Sequence, residues 1–234
     1  MKSFARTALF SALFLLLAPA ALAQDGVRVT LGVKAWYHTW NTWLDPVGTA
    51  DGPVSQTETD TEWVLVPSIN VRIKNFFISG DYFPTKEYDF LSTYRGVERT
   101  EWSIVGGYYI VPQLAIALGW KQINQKFSST FDMNIDVPML GLQAGAPIGD
   151  SGNWFIYGNG FFGPISVSQK GSGTTEDQDG WYYSTELGLG YRLFERLATT
   201  LGYKYQTVRW DELQGKVPGY DYTAGWIVGL SFTF

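Results

Sequence analysis

The only histidine of this chain, His38, is the side chain best suited to acid–base or nucleophilic catalysis. In a catalytic triad the histidine works between a carboxylate and a hydroxyl, and in this chain His38 is followed by Thr39 and Trp40. Partners from distant parts of the chain would complete a site only in the folded protein. A lone histidine at the end of a strand more often makes structural hydrogen bonds. We therefore predict no catalytic residue and keep His38 as the centre of an alternative hypothesis.

Two acidic segments could bind hard cations. They are TETDTE at 57–62 and TEDQDG at 175–180, and carboxylate oxygens are the ligands that such cations prefer. Neither segment has the length, the spacing or the closing glutamate of a calcium loop. A solvated loop is the better interpretation of both, and we predict no metal site and no cofactor.

A third set consists of charged side chains at alternate positions within apolar segments. The set is Lys34, Arg72, Asp81, Glu101, Lys121, Glu186, Arg192 and Lys204. Cations and anions in similar number can pair into a buried network, and a buried charge without a partner is costly. The same side chains could line a path for ions, with a small excess of positive charge. Both the buried network and the ion path require a fold that places these side chains together on its inner face.

The elements that position these residues are β-strands, because apolar and polar residues alternate with a period of two. The last ten residues, GWIVGLSFTF, show the pattern to the final aromatic residue. Ten strands are predicted, an even number: VRVTLGVKAWYHTW, EWVLVPSINVRIKN, FFISGDYF, EWSIVGGYYIV, LAIALGWKQI, MLGLQAGAPI, NWFIYGNGFFG, STELGLGYRLF, LATTLGYKYQTVRW and a closing strand from about Asp221 to Phe234.

Long and short connections alternate strictly along the chain. The long polar links are predicted at 41–61, 84–99, 124–134, 168–180 and 209–220, and the short ones at 74–75, 112–113, 148–153 and 194–196. Consecutive antiparallel strands place alternate links at opposite ends of a sheet. All the long links are therefore expected at one end, and both termini at the other.

The N-terminus predicts export. Residues 1–23 combine Lys2 and Arg6, an apolar run and the small-residue pattern Ala21-Leu22-Ala23, which is typical of a signal peptide. The alternative, an anchoring helix that stays attached, would need a longer apolar run. Cleavage after Ala23 leaves residues 24–234 as one domain and lowers the net charge from −5 to about −7, which argues against nucleic acid as a partner.

The alternation alone does not determine which face of the sheet contacts water. A soluble ligand-binding barrel would bury its apolar face, and a membrane barrel would expose it to lipid. Three observations favour an apolar exterior. The polar positions are rich in glycine, serine and threonine, with fewer charges than a solvated exterior normally carries, and the apolar positions carry no charge at mid-strand. Aromatic residues also gather near both strand ends, as in the two girdles of a membrane barrel. Trp36, Tyr37, Trp40 and Tyr109 are among the residues assigned to these girdles.

These features together resemble the small outer-membrane β-barrel proteins of Gram-negative bacteria, over nearly the whole exported chain. The resemblance implies a closed, antiparallel, up-and-down transmembrane β-barrel of about ten strands, contact with outer-membrane lipid and lipopolysaccharide, and insertion by the barrel-assembly machinery. The residues of the final strand that correspond to the C-terminal assembly signal of this class are Trp226, Val228, Leu230, Phe232 and Phe234. A lipid-facing last strand would need the same residues.

The sequence around His38 does not match the catalytic motifs of two classes of outer-membrane enzyme. Lipid A deacylases use a His-x-Ser pair, and Trp40 stands where that serine would be. Omptin proteases use an Asp-x-His pair, and the residue two before His38 is Trp36. A palmitoyl-transferase arrangement of distant residues stays open. The sequence thus predicts a non-enzymatic barrel with a largely plugged polar lumen and cell-surface loops; the alternatives are a narrow pore for small solutes or ions and a lipid-modifying enzyme that uses His38.

Overall fold

The computed structural model describes residues 26–44, 55–90, 95–127, 131–171, 174–210 and 219–234, and within these ranges the chain is almost entirely β-strand. The predicted signal peptide, residues 1–23, lies outside the described residues. The strands are β1 Val27–Leu44, β2 Ser55–Glu58, β3 Glu62–Ile73, β4 Phe76–Tyr88, β5 Val97–Val111, β6 Leu114–Lys126, β7 Phe131–Ile148, β8 Trp154–Gly171, β9 Thr174–Phe194, β10 Leu197–Trp210 and β11 Gly219–Thr233.

The sheet closes on itself. From β3 to β11 every strand pairs antiparallel with the next strand in the chain, and β11 returns to pair with β1 from Thr30↔Thr233 to Trp43↔Tyr220. Both β2 and β3 pair with β1, so together they form one interrupted strand. The prediction of a closed, up-and-down barrel of ten strands is confirmed. In the part of the chain that the structure describes, no helix is long and apolar enough to cross a membrane.

The two ends of the barrel differ. Tight turns and the C-terminus lie at one end, called here the short-turn end. The strand ends at Leu44, Tyr88, Lys126, Gly171 and Trp210 lie at the opposite end, called here the long-loop end. The strands reach further towards the long-loop end than the sequence predicted. Residues 124–126, 131–134, 168–171 and 174–180, predicted to belong to links, are strand.

The reason is an inversion of the polar pattern in these extensions. In the first half of β7, Met133 and Ile135 are buried inside the barrel, whereas Asp132, Asn134 and Asp136 lie on the outside. A wall that rises above the membrane faces water on its outer surface, so its polar residues point outward. The polar residues still alternate with a period of two, but here they face outward, whereas in the membrane-spanning part they face the lumen. For this reason the sequence pattern predicted a polar loop instead of a strand.

The exterior carries a broad band of exposed apolar side chains. Leu118 is 67% exposed, Leu140 is 60% exposed and Leu230 is 48% exposed. Exposed aromatic residues lie at the long-loop edge of this band: Tyr37, Trp63, Tyr82, Trp102, Trp120, Trp181, Tyr183, Tyr203 and Trp226. An apolar band bordered by aromatic rings matches the hydrocarbon layer and the interface of a bilayer. The apolar positions therefore point outward, as predicted.

Three aromatic residues were assigned wrongly. Trp36 is 2% exposed and Trp40 is fully buried inside the barrel. Tyr109 also points inward, where the guanidinium of Arg72 lies 4.0 Å from its ring centroid. All three share the parity of the polar residues on their strands. The girdle assignment used only closeness to a strand end and ignored this parity.

The wall has a seam between β3 and β4. Their hydrogen-bonded ladder joins only the short-turn halves, from Ile73↔Phe76 to Ser68↔Asp81. Residues 60–67 and 82–89, called here the β3–β4 seam, are not paired with each other. Each side of the seam contains one proline, which has no N–H to donate.

A second and narrower interruption lies between β7 and β8. Pro138 stands opposite Pro164 in the register, and neither can donate to the other strand. The strands stay in close contact here, because a Cβ added to Gly163 would lie only 1.9 Å from the carbonyl oxygen of Pro138. Glycine at this position permits the two backbones to approach.

An arginine on the apolar band should destabilise the barrel strongly. We expect Leu118→Arg to lower the free energy of unfolding in lipid vesicles by about 2–4 kcal/mol, because a charge near the bilayer midplane is costly. Asn124→Arg, on the same side of β6 beyond the band, is the matched control and should cost less than about 1 kcal/mol. Equal losses measured by urea titration for the two variants would refute the outward assignment.

The β3–β4 seam should exchange its amide hydrogens rapidly. The amides in 62–67 and 82–88 that face the seam lack a partner strand, so we expect exchange at least about tenfold faster than at residues 116–124 of β6. Hydrogen–deuterium exchange of the reconstituted protein, read by mass spectrometry, makes the comparison. Equal protection of the two regions would show that the seam is closed in solution.

Candidate functional site

The interior of the barrel has two different halves. At the long-loop end, buried apolar side chains and a few charged ones occupy the lumen, and the largest of those that are described are Trp36, Trp40, Arg99 and Tyr88. At the short-turn end, a polar cavity of about 520 Å³ remains. The filled half is called here the plug.

Arg99 is the centre of the plug. Its Nε donates to Oε1 of Glu101 at 2.7 Å, and its Nη1 donates to Oδ1 of Asp221 at 3.2 Å. The side chains of all three residues are at most 3% exposed. Lys121 forms a further ion pair with Oε2 of Glu101. Charges buried this deeply are tolerated because each has a partner of opposite sign.

Neutral side chains complete the hydrogen bonds of the two carboxylates. Asp221 accepts from Nε1 of Trp40 at 2.9 Å and from Nε2 of Gln125 at 2.7 Å. Glu101 accepts from Nε2 of Gln206 at 2.9 Å. The guanidinium of Arg99 also lies 4.6 Å from the ring centroid of Trp40. The network connects β1, β5, β6, β10 and β11, so it crosses the lumen from wall to wall.

The eight predicted lumen residues occupy three places. Glu101 and Lys121 belong to the plug. Lys34 and Glu186 form a separate ion pair across the β1 and β9 walls, with 3.1 Å between Nζ and Oε2. The other residues lie nearer the short-turn end or beside the cavity: Arg72, Asp81, Arg192 and Lys204.

Arg192 does not join the network. It has the inward parity of β9 but lies exposed at the short-turn rim, and it forms no ion pair with any residue that the structure describes. Its position near the end of β9, two residues before Phe194, explains why parity alone placed it wrongly. A side chain at a rim reaches water whichever way it points.

Sequence reasoning missed two of the most deeply buried charges, Arg99 and Asp221. Arg99 lies at the edge of the predicted link 84–99, and Asp221 marks the uncertain start of the last strand. The signal was present in part: Val97, Arg99 and Glu101 have one parity, and all three are buried in β5. Extending the alternation two residues beyond the predicted boundary would have placed Arg99 beside Glu101.

His38 is packed and hydrogen-bonded within the plug. It is 1% exposed. Its Nδ1 lies 3.3 Å from the Trp36 carbonyl oxygen and its Nε2 lies 2.6 Å from the Tyr88 hydroxyl oxygen. Since a carbonyl only accepts, Nδ1 donates and Nε2 accepts from Tyr88. Both ring nitrogens are therefore bound to structural groups, the Trp36 carbonyl and the Tyr88 hydroxyl, and neither is bound to a serine or a carboxylate.

The acidic segments provide no cation site in the described structure. Glu58 and Asp60 of the first segment are exposed. Within the described ranges, no three histidine, aspartate or glutamate side chains lie close enough to hold a metal ion. The side chains of residues 175–178 lie outside the described part of the second segment.

The final strand presents the predicted assembly residues on the outer wall. Trp226, Val228 and Leu230 are between 45% and 56% exposed. Phe232 and Phe234 lie at the short-turn end with ring centroids 4.9 Å apart, and the backbone N–H of Phe234 donates to Val29 at 2.8 Å. The last residues thus take part in closing β11 onto β1.

Comparison with solved structures agrees with this architecture. The chain superposes on the outer membrane protease OmpT from Escherichia coli with a TM-score of 0.59 and 10% identity, over 93% of this chain and 99% of that chain. It also matches Neisserial surface protein A (TM-score 0.43, 11% identity, 90% of this chain and 98% of that chain). The Ail protein of Yersinia pestis matches with a TM-score of 0.39 and 9% identity, over 90% of this chain and 100% of that chain.

No protein-family model matches the chain, and no curated protein is significantly similar in sequence. The similarity to solved structures establishes the fold alone. The chain is a closed, ten-stranded, antiparallel up-and-down barrel whose fold is similar to that of bacterial outer-membrane barrels. Its role must be argued from its own lumen.

Removing the central arginine should be far more costly than removing a surface cation. We expect Arg99→Met to lower the free energy of unfolding by about 3–5 kcal/mol, because Glu101 and Asp221 lose a buried partner. Lys86→Met breaks the Lys86–Glu62 pair, whose side chains are 32% and 41% exposed, and should cost less than about 1 kcal/mol. Urea unfolding of both variants in the same vesicles tests the difference; similar small losses would mean that the plug network contributes little to stability.

Proposed function

We propose that this protein is a non-enzymatic outer-membrane barrel whose lumen is closed, and that its role in the envelope is structural or involves surface interactions. The observation that carries this proposal is the plug. Buried ion pairs and aromatic rings from five strands meet across the lumen, and the cavity of about 520 Å³ lies on the short-turn side of them. Barrels of eight strands are just filled by side chains, and ten strands are close to that limit.

The expected location follows from the exterior. An apolar band with an aromatic edge is costly to expose to water and suits a bilayer. We infer that residues 1–23 direct export, that the barrel-assembly machinery recognises the β11 signal, and that lipid and lipopolysaccharide surround the band. In the outer-membrane class the short turns face the periplasm, so the long-loop end would face the cell exterior.

A narrow pore for small solutes or ions is the second candidate. The cavity of about 520 Å³ in the short-turn half favours it, because this space would form half of a conduction path. Conduction would require movement of the plug, because Trp40, Arg99 and Asp221 occupy the lumen beyond the cavity. The enzyme hypothesis has less support, because both nitrogens of His38 are occupied by structural partners.

Conductance across planar bilayers separates the two candidates. We expect no discrete current steps from the reconstituted wild-type protein. The double variant Trp36→Ala/Trp40→Ala should produce steps, because it removes the two largest rings of the plug. Steps in the wild type would instead establish the narrow pore.

The matched control is Trp63→Ala/Trp226→Ala, which removes two rings that are each 56% exposed on the outer wall. It should stay silent, like the wild type. Heat-modifiable migration on detergent gels verifies that each variant forms a closed barrel before its conductance is measured.

A further inference from the structure

The cavity at the short-turn end has an unbalanced charge. Its lining contains four cationic side chains and two anionic ones: Lys34, Arg72, Lys121, Lys204, Asp81 and Glu186. Lys121 is neutralised by Glu101, which lies outside the lining. A surplus of one positive charge remains inside the wall of the barrel.

Two of the lining cations, Arg72 and Lys204, form no ion pair with any residue that the structure describes. Arg72 donates to the Lys74 carbonyl oxygen in an exposed place near the short-turn end, whereas Lys204 lies deeper, beside the plug. Glu186 stands directly opposite Lys204 in the register of β9 and β10, yet the Glu186 carboxylate binds Lys34 instead. The other nearby carboxylate, Glu101, is held by Arg99 and Lys121. Among the described residues, no carboxylate lies within 4.0 Å of the Lys204 ammonium.

Lys204 is held in place by an aromatic ring. Its Nζ lies 4.7 Å from the ring centroid of Trp36, at the boundary between the plug and the cavity. A contact of this kind favours the charged ammonium and orients it. Ser184, on β9 diagonally across from Lys204, adds a hydroxyl to the same lining.

Water reaches the cavity from the short-turn end. Asn70, Ser79, Asp81 and Asn159 point inward and line it, yet each is partly exposed. A volume of about 520 Å³ falls within the range of small-molecule sites, which is about 300–1,000 Å³. A small solute can therefore enter from this end without passing the plug.

We propose that this cavity is a binding site for a small hydrophilic oxyanion, a carboxylate or a phosphate, whose charge is neutralised by Lys204. The oxyanion supplies the missing negative charge beside a cation that is enclosed by the wall, where an uncompensated charge is costly. The neighbouring hydroxyl and amide groups donate to its remaining oxygens. The site does not depend on whether the barrel conducts, because the ligand enters and leaves at one end.

Isothermal titration calorimetry tests the site, with sodium acetate and sodium phosphate as separate probes. The folded protein is kept in zwitterionic detergent and zwitterionic buffer without added salt. We expect saturable one-site binding of at least one probe to the wild type, and the probe that binds identifies the oxyanion. Lys204→Met should lower the affinity at least tenfold, because it removes the charge and keeps the length of the side chain.

Lys126→Met is the matched control, since Lys126 is exposed at the long-loop end of β6 and does not line the cavity. Its affinity should equal that of the wild type. The absence of saturable binding of both probes to the wild type would overturn the proposal, and so would an unchanged affinity of Lys204→Met.

A second measurement needs no variant. Acetic anhydride modifies accessible lysines, and mass spectrometry of the digested wild type locates the products. The probe that binds should protect Lys204 from modification and leave Lys126 unprotected. Equal modification of Lys204 with and without the probe would refute the site, even if Lys204→Met failed to fold.

Discussion

Backbone hydrogen bonding in hydrocarbon is the constraint on which this structure depends. A strand that crosses a bilayer has no water to satisfy its N–H and C=O groups, so its sheet must close. Here β11 pairs with β1 over fourteen residue pairs, and the short-turn ends of the other strands are paired on both sides. The outward apolar positions and the inward polar ones follow from that closure, because each strand then separates lipid from lumen.

Both interruptions of the ladder lie towards the long-loop end of the barrel wall. The β3–β4 seam runs from the level of Ser68 towards the long-loop end, and the Pro138–Pro164 pair also lies just beyond the outward leucines of β7. The ion pair between Lys86 and Glu62 crosses the seam, with 3.0 Å between Nζ and Oε2. At the seam, this side-chain ion pair connects the two strands where backbone hydrogen bonds between them are missing.

A second constraint acts on the lumen: a charged side chain that is removed from water needs a partner of opposite charge. Arg99, Glu101, Lys121 and Asp221 meet this constraint with one another, and they close the long-loop half of the barrel in doing so. Lys204 has no carboxylate within 4.0 Å among the described residues and lies over the ring of Trp36. The same electrostatic requirement thus supports two distinct proposals, a closed lumen on one side and an oxyanion site on the other.

The sequence by itself determined the class of fold, the number of strands and the side of each strand that faces lipid, because a period of two is a local property of the chain. It also grouped Glu101, Lys121, Lys34 and Glu186 on the inner face. Which of these charges pair was decided only by the tertiary structure, since Lys34 and Glu186 are 152 residues apart in sequence. The central role of Arg99 likewise depended on how far β5 extends towards the long-loop end and on the position of Asp221 in β11. Distances across a lumen are set by closure and tilt of the whole barrel, and no local pattern contains them.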